Sequence, residues 1–207
     1  MLPKYQPMGL TDEALRMINS DKSCATALML AHGSGTMPAV NGFVTGLAEA
    51  GITEETMPET YKTQYATGIG KIMKDAAGYR TVFWYGGMPS WRDIKNYVLA
   101  QNFDECYCAS DFKYSGGNSW GCPDKTLFDK VYEYIGAHPN QKTFHIILTT
   151  SNHPPYTIDV AAEGFDKNKC CKTCLMILQA IKKPLMNWGT SGTLIWQWVV
   201  LFAIQKN

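Results

Sequence analysis

The run Thr143–Thr150 constrains this chain more than any other segment. Its centre, Phe144–Leu148, is apolar almost without interruption. A strand with one wet face alternates apolar and polar residues. A continuous run belongs to a strand covered on both faces, as in a parallel sheet between helices. Directly after it stand Ser151-Asn152-His153-Pro154-Pro155-Tyr156. Two prolines cannot donate to a β-ladder, so the strand stops there and His153 sits in a rigid loop.

Other segments fit the same architecture. Thr81–Tyr85 is a short apolar strand closed by Gly86-Gly87, and Ala27–Ala31 reads as a further short strand. Val40, Phe43, Val44 and Leu47 recur at helical spacing, which predicts a helix over Pro38–Ala50 with Pro38 in its first turn. Further helices are expected over Thr11–Asn19, Tyr65–Ala77 (stopped by Gly78), Trp91–Gln101 and Asp124–Ala137, the last N-capped by Asp124. Cys106–Gly121, rich in Ser, Gly and aromatics, reads as loop. Strands separated by helices give an α/β fold with a mainly parallel sheet flanked by helices. In such sheets ligands sit at the carboxyl ends of strands, where the loops holding Thr36, Trp84–Gly87 and His153 could converge.

With 207 residues the chain can bury a sizeable core. Its net charge of +1, without a Lys/Arg stripe, speaks against nucleic acid as partner. Met1–Lys4 starts no apolar leader, and Leu194–Ile204, broken by Gln197, falls short of the roughly 20 apolar residues a membrane span needs. Seven cysteines, an odd number, give no complete disulfide framework. Cys170, Cys171 and Cys174 lack the second pair that a structural zinc site requires.

Two residues stand out chemically. Thr36, in Gly33-Ser34-Gly35-Thr36-Met37-Pro38, lies at a helix start, where backbone N–H groups favour phosphate oxygens. It is either a helix cap, the commoner role, or an alcohol nucleophile that needs activation. His153 is either a turn residue or a hydrogen-bond donor to a phosphate or leaving oxygen. Arg92, beside Trp91, could grip a phosphate through its planar fork.

Taken together, Gly35-Thr36, Val82–Gly87, Phe103-Asp104-Glu105, Trp120-Gly121 with Asp124 and Phe128, and Leu148–Tyr156 resemble the lipoteichoic-acid-synthase-like phosphoglycerol transferases of the sulfatase/alkaline phosphatase superfamily. The resemblance runs from about His32 to about Phe165 and implies a partial alkaline-phosphatase-like catalytic domain over residues 1–165. It implies that Thr36 is both nucleophile and metal ligand, with a divalent metal, typically manganese, as cofactor. His153 is then the substrate headgroup contact and Trp91 a pocket wall. Arg92 lies one place from the family's arginine. The donor would be a lipid-linked phosphodiester and the acceptor a glycan or lipid. The parent enzyme would be membrane-anchored, with its catalytic domain outside the cytoplasm.

Two departures qualify this. Residues 1–31 show no strand bearing the acidic metal ligand, and the chain contains no Asp-His pair. The chain is therefore expected to bind metal poorly, to be inactive as written, and to be the middle of a larger enzyme. Residues 166–207 form an atypical tail. Read one base earlier, its codons allow a Trp-Tyr-Ala-Asp string like that preceding the family's Asp-His motif. That points to a frame slip near Asp166–Lys172 and to a tail that packs badly; a genuine divergent tail is the alternative. The rivals are a phosphate or sulfate ester hydrolase of the same superfamily and a non-catalytic remnant. The Cys/Ser-x-Pro-x-Arg motif of formylglycine sulfatases is missing. A serine hydrolase, with His32–Gly35 as oxyanion loop, is set aside because no Gly-x-Ser-x-Gly elbow is expected in the chain.

Overall fold

The computed structural model describes Arg16, Asn19, Gly33 and residues 35–48, 54–159 and 161–162, with 199–204 as backbone. Of the expected helix at Thr11–Asn19 only Arg16, in helical backbone, and Asn19, in a turn, are described, while Ala27–Ala31, the tail cysteines and the 165/166 boundary lie outside the described residues. The chain divides into two compact units, Met1–Leu30 with Asp159–Thr193, and Ala31–Ile158 with Leu194–Asn207. In the first unit the Asp159 carboxylate accepts the backbone N–H groups of Ala161 and Ala162. All that follows concerns the second.

Helix α1 spans Thr36–Thr45, α2 Ile69–Ala77, α3 Ile94–Ala100 and α4 Asp124–Ala137. Strand β1 spans Arg80–Tyr85, β2 Glu105–Cys108, β3 Thr143–Leu148 and β4 Val199–Ile204. They form one sheet in the order β2-β1-β3-β4. β1 runs parallel to both β2 and β3, and β4 pairs antiparallel with β3.

The sheet's period of two sends alternate side chains to opposite faces. Phe83, Tyr85, Cys106, Cys108, Phe144, Ile146 and Leu148 pack with Met37, Val40 and Val44 of α1 and Ile94, Tyr97 and Val98 of α3. On the other face, Val82, Trp84 and Ile147 pack with Leu127, Val131 and Tyr134 of α4. All six residues of β3 are buried, as a strand covered on both faces requires. His145, in that strand, is fully buried and accepts a 3.0 Å hydrogen bond from the Trp84 indole N–H at Nδ1. The expected α/β architecture is therefore present.

Several boundaries differ from the sequence expectation, each for a local reason. α1 stops at Thr45, because Gly46 turns left-handed (φ 77°) and returns its N–H to the Gly42 carbonyl; Leu47 is exposed. α2 is closed by Gly78 as expected but starts at Ile69, after Gly68 at its cap in extended backbone (ψ 125°). Trp91–Asp93 forms a 3-10 turn before α3. Three of the four residues of strand β2, Cys106–Cys108, lie within the stretch read as loop. Its four residues carry little β pattern, and pairing with β1 from Val82↔Glu105 to Tyr85↔Cys108 defines it. β4 lies in the tail expected to pack badly, yet Val199–Ile204 pairs along all of β3. A Val-Val-Leu-Phe-Ala-Ile segment has strong strand propensity whatever its origin. Among the described residues, no helix is long and apolar enough to cross a membrane.

Candidate functional site

Because β1 and β3 are parallel neighbours, the loops that follow them emerge at the same end of the sheet. That is where an open α/β sheet binds ligands.

Thr36 is the first residue of α1. The capping position belongs to Gly35, with extended backbone, and no side chain caps the helix. The cap reading of Thr36 therefore does not describe this helix. Thr36 is half-buried. Its neighbour Met37 lies in the same core cluster as Tyr85 and Leu148, the last residues of β1 and β3. Trp91 packs on that cluster too, its ring 5.4 Å from that of Tyr85.

Arg92 and Asp93 follow in left-handed backbone, both with φ 51°. Two consecutive non-glycine residues there cost of order 1–3 kcal/mol each, and such strain collects at functional loops. The Arg92 guanidinium is half-exposed and lies 4.0 Å from the Glu55 carboxylate. Glu55 is buried, and its other oxygen accepts a 2.9 Å bond from Asn41 of α1. Glu55 thus ties the Trp91–Arg92 turn to the helix that begins with Thr36. Nearby, burial first and the Asp93 carboxylate second raise the Tyr61 hydroxyl above its ordinary pKa. The sequence carries no sign of the pairing of Glu55 and Asn41, which spans 14 residues and has no local signature.

The loop after β3 is held from below by Asp124. Asp124 does not cap α4, because Pro123 occupies the cap position. Its Oδ1 instead accepts the backbone N–H groups of Thr150 and Ser151, each at 2.9 Å, while its own N–H donates to the Ser151 hydroxyl. The Thr150 hydroxyl donates to the Cys122 carbonyl, and the Cys122 N–H donates to the Gly86 carbonyl. The loops after β1, before α4 and after β3 therefore interlock. Gly121 makes this possible: at φ 152°, a Cβ there would sit 1.9 Å from the Gly86 oxygen.

His153 is half-buried, and burial lowers its imidazole pKa from the usual value. Its ring stacks on Trp120 at 4.2 Å and 19°. Trp120 lies in Gly117-Asn118-Ser119-Trp120-Gly121, which does have the Gly-x-Ser-x-Gly spacing and so corrects the expectation that the chain holds none. A nucleophile elbow needs a strand-to-helix turn. Here Asn118 and Gly121 bridge within the long loop between β2 and α4, and Ser119 is exposed in it. The serine-hydrolase reading finds no elbow there.

Trp91 thus lies beside Tyr85 at the end of β1, His153 follows β3 at the same end of the sheet, and Arg92 reaches α1 through Glu55 and Asn41. Among the described residues, no group of three His, Cys, Asp or Glu side chains is arranged to hold a metal ion. The described residues alone do not fit a divalent metal.

This helix-flanked sheet is an alkaline-phosphatase-like fold. It superposes on a protein of the alkaline phosphatase superfamily from Vibrio parahaemolyticus with a TM-score of 0.51 and 20% identity over 68% of this chain. It matches the lipoteichoic acid synthase LtaP from Listeria monocytogenes with a TM-score of 0.54 and 17% identity over 73% of this chain. The chain spans 36% and 41% of the length of those two structures. The sulfatase family model matches residues 12–172. The chain belongs to the sulfatase family, as its motifs led us to expect, and the superfamily typically uses divalent metals.

Proposed function

We propose that this chain carries the nucleophile and headgroup side of a phosphoglycerol transferase site acting on lipid-linked phosphodiesters. The observation that carries this reading is the start of α1. Gly35 serves at the cap position, so the Thr36 hydroxyl stands beside the leading N–H groups of the helix, which no side chain caps among the described residues. In this reading the Thr36 oxygen attacks the donor phosphorus, and the donor lipid leaves with its own oxygen. The phosphoglyceryl group on Thr36 then passes to a glycan or lipid acceptor. His153 donates a hydrogen bond to the headgroup, Trp91 walls the pocket, and Arg92, shared with Glu55, offers a cation to the phosphate.

The likeness to a lipoteichoic acid synthase supports a substrate of that kind, and by the motif resemblance the parent enzyme is membrane-anchored with its catalytic domain outside the cytoplasm. A divalent metal, manganese by the motif resemblance, belongs to that parent. Without its remaining ligands this chain should not turn over.

The test is a titration of the full chain with sn-glycerol 1-phosphate, followed by NMR of the His153 imidazole and Trp91 indole. Both signals should respond, and His153→Ala should weaken the response at least several-fold. No response at millimolar ligand overturns the reading. Phosphatidylglycerol vesicles with manganese should leave no phosphoglyceryl adduct on Thr36; such an adduct, seen by mass spectrometry, would refute the incomplete site.

A further inference from the structure

We infer that Trp120 is a positioning residue that fixes the plane of the His153 imidazole. The inference rests on the headgroup reading of His153. The starting point is how firmly Trp120 itself is held. Its indole N–H donates to the Pro154 carbonyl at 2.8 Å, one residue beyond the histidine it stacks on. Its backbone N–H donates to the Asn118 side chain at 2.9 Å. The same Asn118 side chain donates to the carbonyls of His153 (3.4 Å) and Pro155 (3.2 Å).

The turn bearing Trp120 is closed by reciprocal backbone bonds between Asn118 and Gly121, and Gly121 presses against the Gly86 carbonyl. Indole, turn and His153 loop therefore form one unit, anchored to the loop after β1. Asp124 is the charged side chain that anchors the same loop from α4.

A histidine has two side-chain torsions, and one half-exposed at a loop has several rotamers open to it. A stack at 4.2 Å and 19° covers one face of the ring. A hydrogen bond from the ring to a phosphate-ester oxygen uses its edge, so stacking and ligand binding do not compete. The indole also supplies what another aromatic would not. Phenylalanine could keep the stack but would lose the bond to Pro154. Trp120 remains 38% exposed, so its removal exposes the loop rather than opening the core.

The test uses NMR on the full chain, which has four histidines, so His153 can be assigned. In the wild type the indole ring current should shift the His153 ring protons upfield. Trp120→Ala should abolish that shift and weaken sn-glycerol 1-phosphate binding about tenfold, in line with the stacking energy of an aromatic pair. Trp120→Phe should retain part of the shift and bind within about threefold of wild type. Signals of His145, buried against Trp84, should stay unchanged and report an intact fold. His153 signals unmoved by Trp120→Ala would overturn the inference, as would undiminished ligand binding in that variant. If Trp120→Ala moves His153 but the wild type ignores glycerol phosphate, the headgroup reading fails and the packing of His153 on Trp120 stands.

Discussion

Replacing Asp124 with alanine removes the acceptor for two backbone donors at once, the N–H groups of Thr150 and Ser151, both at 2.9 Å. A hydrogen bond to a charged group contributes about 1.5–3 kcal/mol net, and a donor left dry costs about 1–3 kcal/mol. Thr150 is 2% exposed, so its N–H would stay dry. Ser151 is half-buried, and water would recover part of its loss. The expected cost is therefore about 2–4 kcal/mol, a large share of a stability of roughly 5–15 kcal/mol. Asp124→Asn keeps an acceptor oxygen without the charge and should lose about half as much. Urea unfolding followed by tryptophan fluorescence measures both, with the slope m checked for constancy. The alanine variant should also broaden the His153 signals, because its loop loses this anchor. An alanine variant within about 0.5 kcal/mol of wild type would refute the reasoning.

Burial, opposed by the charge of Glu105, pushes the His145 imidazole down to about 4. The unfolded imidazole titrates near 6.5, so between those values the unfolded chain holds a proton that the folded chain lacks. Stability should fall as the pH drops from about 6.5 to about 4, by about 3 kcal/mol at most, and His145→Phe should flatten that slope in pH-dependent urea melts. Gly121→Ala should destabilise by about 3 kcal/mol or more in thermal melts, because the new Cβ would meet the Gly86 carbonyl. Re-sequencing the gene through the Asp166–Lys172 codons tests the proposed frame slip. A corrected frame should run through Trp-Tyr-Ala-Asp into an Asp-His pair, whereas an intact frame makes β4 a genuine strand of the sheet.

The sequence determined the periodic parts by itself. The apolar run Phe144–Leu148, short, β-rich and stopped by Pro154-Pro155, suits a strand covered on both faces, and β3 occupies that place. Gly78 and the helical spacing of Val40, Phe43 and Val44 act within a turn or two of chain, so they could be read directly. The order of Thr36, Trp91 and His153 motifs also carried enough information to identify the family. Tertiary structure decided everything that depends on distant partners. β2 exists because Val82–Tyr85 offers it a ladder. Asp124 looked like a helix cap, but the N–H groups of Thr150 and Ser151, 26 and 27 residues away, claim its carboxylate. Thr36 looked like a cap until Gly35 took that position. Glu55 joins α1 to the Arg92 turn, and Trp120 stacks on His153 from 33 positions earlier in the chain. Local spacing encodes backbone periodicity, whereas hydrogen bonds and ring stacks between loops depend on where the sheet delivers its strand ends.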